Sequence, residues 1–127
     1  MIFFVLLLVS SVATFCLHAV SDLLHDIQQL SDDRMSGRKT ATSGAEQARS
    51  YIQQRFFALG LTALKTDFQH PFNYSSGFSD KQGINLIAEL KGCSQPEAYI
   101  VMTAHYDHLG IIRGKIYNGA DDNASGV

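Results

Sequence analysis

The chain has 127 residues, a formal net charge of −2 and 46% hydrophobic residues. This is the composition of an ordinary globular protein, and it excludes a disordered or strongly charged chain. No basic excess or Lys/Arg stripe points to a nucleic-acid partner.

The N-terminal stretch "MIFFVLLLVSSVATFCLHAV" is apolar from Ile2 to Val9 and then turns to small residues. It reads as a secretory signal peptide over residues 1–21, with small-residue cleavage points after Ala13 or Ser21. The segment lacks a Lys/Arg n-region, and the run to Val20 approaches spanning length, so an uncleaved anchor is the alternative. The expected location is therefore secreted or periplasmic, or membrane-anchored through this segment. Phe15 stands where a lipoprotein signal at Cys16 needs a small residue. With the leader removed Cys93 is alone, so no disulfide framework is expected within the chain.

From Ser21, "SDLLHDIQQL" places Leu23, Leu24, Ile27 and Leu30 on one helical face, with Ser21 as N-cap. "SDDRMSGRKTAT" interrupts it as a loop. In "SGAEQARSYIQQRFFALG", Ser43 and Glu46 form an S-x-x-E capping box. Ala45, Ala48, Ile52, Phe56 and Leu59 recur at helical spacing, and Gly60 suits the left-handed stop. "LTALKTDFQHPF" roughly alternates, with Leu64, Thr66 and Phe68 on one face, and ends at Pro71 as a strand. "NYSSGFSDKQG" reads as a polar connection. "INLIAEL" and "AYIVMTAHYD" are the next strands, the second apolar enough for a central strand covered on both faces. The order helix, helix, strand, strand, strand describes an α/β fold, with polar residues gathered just past a buried strand, where α/β proteins tend to place ligands.

Those residues are His105, Asp107 and His108, followed by Asp121 and Asp122 after a glycine-bearing loop. Alternation along a strand puts His105 and Asp107 on one face and Tyr106 and His108 on the other. A metal-bound imidazole needs its second nitrogen held by an acceptor, and Asp107 is placed to be one. Adjacent carboxylates point apart, so at most one of Asp121 and Asp122 faces a given ion, and a carboxylate can bridge two cations where an imidazole cannot. Spacing alone leaves a metal site and a solvated polar loop both open. Gly110, Gly114 and Gly119 permit tight backbone in the loop. Arg113 and Lys115 are within reach of a substrate carboxylate or simply solvated, and His18, His25 and His70 belong to no constellation. A further reading takes Asp121, Asn123, Ser125 and Gly126 as positions 1, 3, 5 and 6 of an EF-hand-like calcium loop, which also requires an entering helix. The N-x-S/T triplets at Asn73 and Asn123 are left unassigned as glycosylation acceptors.

With these residues assembled, "NLIAELKG", "YIVMTAHYDHLG" and "YNGADDNASGV" resemble the zinc metallopeptidases of family M28, the group of aminopeptidase Y and bacterial leucyl aminopeptidase; "SGRKTATSGAEQARSYIQQRFFALGL" adds weaker support. The resemblance implies a mixed β-sheet between helix layers, two Zn2+ ions and release of N-terminal residues from peptide substrates. It implies His105 as the first zinc ligand, Asp107 as the acid orienting it, and Asp122 as the carboxylate bridging both ions. Asp121 matches the residue before the bridge, where an unusual cis peptide is expected. The family's catalytic Glu and remaining ligands follow later than Val127. Residues 22–127 are thus expected to be the N-terminal part of the domain, with an incomplete sheet and no activity alone. A carboxypeptidase or glutaminyl cyclase on the same scaffold, or a non-catalytic binding domain, remains the alternative.

Overall fold

The computed structural model describes residues 20–95 and 97–127. The expected leader therefore lies almost wholly outside the described residues, as does His18. Among the described residues, no helix is long and apolar enough to cross a membrane.

A first helix, α1, occupies residues 20–30, so Ser21 lies inside it and not at its cap. Leu30 is buried and Ile27 half-buried, whereas Leu23 and Leu24 are exposed. The 3-10 segment Asp33–Arg38 follows, capped by Asp32, whose carboxylate accepts from the Arg34 amide. Ser36, Gly37 and Arg38 are three consecutive residues with positive φ. Left-handed backbone costs a residue other than glycine roughly 1–2 kcal/mol, so two non-glycine positions here are held by what surrounds them. Gly37 sits against the backbone of Gly110, where an added Cβ would fall 2.8 Å from the carbonyl oxygen. That contact seats the segment on a hairpin further along the chain.

Helix α2 (Ser43–Ala58) forms where its periodicity predicts, with one shift at the start. The N-cap is Thr42, whose hydroxyl accepts from the Ala45 amide. Ser43 is therefore the first helical residue and no Ser43–Glu46 capping box forms. The Thr42 hydroxyl also donates to the Lys39 carbonyl at 2.6 Å, which ties the cap to the preceding turn. Ala45, Ala48 and Ile52 are the buried face. Ala48 and Ile52 join Leu30, Met35 and Ala124 in the core, with Tyr51, Phe56, Leu86 and Tyr106 packed around it. Gly60 ends the helix with φ +70°, as expected. Tyr51 reaches back to α1, donating its hydroxyl to Asp26 at 2.5 Å, while Arg55 pairs with the same carboxylate at 2.9 Å.

The strands differ more from expectation. Instead of one strand over residues 61–72, β1 (Thr62–Ala63) is followed by bends at 64–68, and β2 (Gln69–Ser76) starts later. Leu64 is exposed, while Phe68 is buried between the edges of Phe56 and Phe57, with ring centroids 5.4 and 4.9 Å away. Burying such a ring contributes roughly 1.5–3 kcal/mol, which outweighs the alternation that set Leu64 beside it. The polar stretch expected to be a connection is the body of a hairpin, in which β2 pairs antiparallel with β3 (Ser79–Leu86) around a turn at Gly77 and Phe78. Pro71 lies inside β2 opposite Ile84, tolerable because a two-stranded ribbon leaves each strand an unpaired edge. Strand β4 (Ala88–Glu89) pairs with β1. Strands β5 (Gly110–Ile112) and β6 (Lys115–Tyr117) form a third antiparallel hairpin. Its turn residues, Arg113 and Gly114, have φ of +51° and +78°, the positive pair that two-residue hairpins favour.

The described residues thus make a small α/β assembly of two helices and three separate two-stranded antiparallel ribbons, without a continuous mixed sheet between helix layers. The apolar run 98–107, expected to be a buried central strand, is the main correction. It carries no regular secondary structure and pairs with no strand. Ile100 is 95% exposed and Met102 91%. Its hydrophobicity is that of a central strand, but a strand is made by neighbours, and no described strand lies beside it. It borders an open cleft of about 1650 Å3 that Ile52, Phe56 and Leu86 also line.

Candidate metal centre

The 98–107 run and the residue after it deliver His105, Tyr106, Asp107 and His108 to the junction of the 3-10 segment, hairpin β5–β6 and the turn 118–123. Tyr106 anchors the delivery by donating its hydroxyl to the Ile84 carbonyl at 2.6 Å. Because no strand forms here, strict alternation of faces does not apply: His105 and His108 both meet Asp122, and Asp107 lies behind His105.

The Asp122 carboxylate lies between the two imidazoles. One oxygen, Oδ1, is 3.1 Å from His105 Nε2, and the other, Oδ2, is 3.6 Å from His108 Nδ1. On its far side, His105 Nδ1 is 3.1 Å from the backbone carbonyl of Asp107 and 3.5 Å from its Oδ1. The nearer acceptor is the carbonyl, so Asp107 meets His105 through main chain first and carboxylate second. Thr40 donates to Asp107 Oδ2 at 2.5 Å, leaving Oδ1 turned to the histidine. His105 and Asp122 are exposed; His108 is largely covered.

His108, set aside on the opposite face by strand alternation, is thus brought to the same carboxylate as His105. Its ring covers Gly119, which has φ +59°, and a Cβ there would fall 2.6 Å from the imidazole Cγ and 2.5 Å from the Asp122 carbonyl oxygen. Only glycine lets the turn pass beneath the ring. Asp121 keeps an exposed side chain and accepts from the Ser125 hydroxyl through its backbone carbonyl, at 3.1 Å. The cis peptide joins Asp122 to Asn123, one bond later than expected. The segment entering Asp121 is β6 and a turn, not the helix that an EF-hand loop requires. Arg113 is spent on the hairpin turn, and Lys115 lies 5.3 Å over the Tyr117 ring. Cys93 is a free, exposed thiol, His25 is exposed, and His70 is half-buried with Nε2 unpartnered.

The residue that sequence reading passed over is Arg38. Its guanidinium is fully buried and faces only backbone oxygens. Nε donates to the Tyr106 carbonyl at 2.7 Å, Nη1 to Asn118 at 2.6 Å and to Leu30, and Nη2 to Gly119 at 2.8 Å. Its own carbonyl accepts from the His108 amide at 3.3 Å. Burial pushes its pKa down, and the negative charges of Asp107 and Asp122 oppose that shift. Arginine nonetheless keeps its proton in proteins. Asn118 adds a link to the 3-10 segment by donating to Asp33 at 2.8 Å.

Among the described residues, no group of three or more His, Cys, Asp and Glu side chains forms a metal cage. The donors that do converge fit part of a zinc site. An imidazole nitrogen and a carboxylate oxygen bound to one tetrahedral zinc at ~2.0–2.1 Å stand about 3.3–3.4 Å apart, close to the 3.1 Å between His105 Nε2 and Asp122 Oδ1. His105 Nδ1 also has its acceptors behind it, as metal-bound histidines do.

The model of peptidase family M28 matches residues 85–127, the stretch that carries β4, the 98–107 run, the β5–β6 hairpin and the whole histidine–aspartate cluster. The match supports a relationship to this metallopeptidase family, whose members are generally zinc-dependent hydrolases. No curated protein and no solved structure matches the chain.

Proposed function

We propose that this chain is part of an exported two-zinc aminopeptidase that releases N-terminal residues from peptides. The observation carrying the reading is the Asp122 carboxylate between His105 and His108, one oxygen toward each ring, inside the stretch matched by the peptidase family. His105 Nε2 and Asp122 would hold zinc, with Asp122 as the bridging ligand. Zinc bound there would polarise a scissile carbonyl and lower the pKa of bound water toward ~7.

The chain's own part is to present the ligands. The Asp107 carbonyl and carboxylate accept from His105 Nδ1–H, which fixes the tautomer and leaves the Nε2 lone pair facing Asp122. Thr40 occupies the second oxygen of Asp107 and prevents that carboxylate from turning away. Export is read from residues 1–21, with their apolar run Ile2–Val9 followed by small residues. The specificity for N-termini is carried by the resemblance of "HYDHLG" and "GADDNASG" to the aminopeptidases of the family.

The test uses the protein isolated at its natural length from its source or a secreting host. It should release the chromophore from aminoacyl anilides and not from their N-acetylated forms, and Asp122→Ala should abolish that release. Equal cleavage of acetylated substrates would remove the aminopeptidase reading. Unchanged activity in Asp122→Ala would remove the bridging role.

A further inference from the structure

We propose that Arg38 is a positioning residue, a buried clamp that sets the spacing between the His105–His108 segment and the Asn118–Asp122 turn. These segments approach each other with no strand pairing between them. Burying an arginine among neutral groups is costly unless its donors are satisfied, and here all three guanidinium nitrogens donate to carbonyls, through four of the five N–H groups. One of the four partners, Leu30, ends α1; the other three belong to the two segments. Tyr106 lies between His105 and Asp107, Gly119 lies under the His108 ring, and Asn118 opens the turn that ends in Asp122.

One planar, rigid fork therefore fixes two main-chain segments relative to a third, the 3-10 segment. The Arg38 carbonyl closes the clamp by taking the His108 amide. Arg38 itself has positive φ, a backbone cost that the four hydrogen bonds offset. Two residues on, Thr40 grips Asp107, so a single short segment holds both the main chain and the carboxylate behind His105.

Calling the held geometry a metal centre rests on the proposed function; the clamp itself does not. The experiment is accordingly run on the full chain without metal, by NMR. In the wild type, the Arg38 Nε–H should show a through-hydrogen-bond coupling to the Tyr106 carbonyl carbon, and the His108 ring should show a nuclear Overhauser contact with Gly119. Arg38→Lys keeps the charge and loses the fork. In that variant the His108–Gly119 contact should vanish, and the His108 and Ala124 amides should exchange about tenfold faster, while the Ala48 and Ile52 amides of α2 keep their protection.

Uniform acceleration across α2 and the turn would make Arg38 an ordinary core residue and overturn the proposal. An unchanged His108–Gly119 contact would do the same. Should the lysine variant fail to fold, the wild-type coupling decides, and its absence in a folded wild type overturns the clamp. Zinc titration of the wild type separately tests the metal reading, so either can fail alone.

Discussion

Thr40 donates its hydroxyl to Asp107 Oδ2 across 2.5 Å, and the other oxygen of that carboxylate faces His105 Nδ1 at 3.5 Å. The threonine touches no proposed ligand, yet it decides which way the acid behind His105 points. Thr40→Val keeps the shape and removes the donor. Loss of such an outer partner typically weakens metal binding by about 10–100-fold, so the variant should bind zinc at the low end of that range or below, because the Asp107 carbonyl still faces Nδ1. Titration with a zinc indicator dye checks this; affinity equal to wild type would leave Thr40 without that role.

Gly119→Ala should destabilise the fold itself. The new methyl would fall 2.6 Å from the His108 ring in a backbone with φ +59°. Overpacking of this kind typically costs about 1–3 kcal/mol. A lower thermal midpoint and loss of the His108–Gly119 contact are the expected results. Gly60→Ala, which meets no atom within 4 Å, should cost less, its penalty being limited to its own positive φ.

The join between the helices predicts a dependence on high pH. Burial and the hydrogen bond to Asp26 raise the Tyr51 pKa from 10.0 to about 12. A raised folded value means the folded state holds the proton more tightly than the unfolded one. The stabilisation is therefore complete below pH 10 and is lost as pH rises from there toward 12. Thermal midpoints across that window should fall more steeply for the wild type than for Tyr51→Phe; parallel slopes would exclude Tyr51 as the titrating group.

The apolar run beside the cleft predicts a surface effect. Ile100 and Met102 are almost wholly exposed, with Val101 80% exposed between them, and a contiguous patch of this kind promotes association. Ile100→Lys should raise the soluble fraction of the isolated chain and leave its thermal midpoint unchanged. A falling midpoint would show that Ile100 packs in solution.

Local signals were legible where one element satisfies itself. Helix α2 follows from its own periodicity, and Gly60 from its left-handed stop. Its cap moved by one residue because Thr42 could serve both the Ala45 amide and the Lys39 carbonyl. The β2–β3 hairpin was hidden because "NYSSGFSDKQG" is polar on both faces and shows no alternation. The hydrophobicity of the run 98–107 reports what the segment would bury and not whether a partner strand lies beside it. At the site, the pairing of "HYDHLG" with "GADDNASG" pointed to His105 and Asp122, and the structure sets them 3.1 Å apart. Arg38 was illegible because three of its partners are backbone carbonyls 68, 80 and 81 residues away, and a carbonyl leaves no trace in residue identity.

The most direct test of the metal centre is calorimetric titration of zinc into the 127-residue chain, wild type against Asp122→Asn. The substitution keeps the size of the side chain and removes the charge that lies between the two histidines. Weak zinc binding that drops about tenfold or more in the variant is the predicted result. Equal zinc affinity in the two proteins would contradict the assignment of Asp122 to a metal centre.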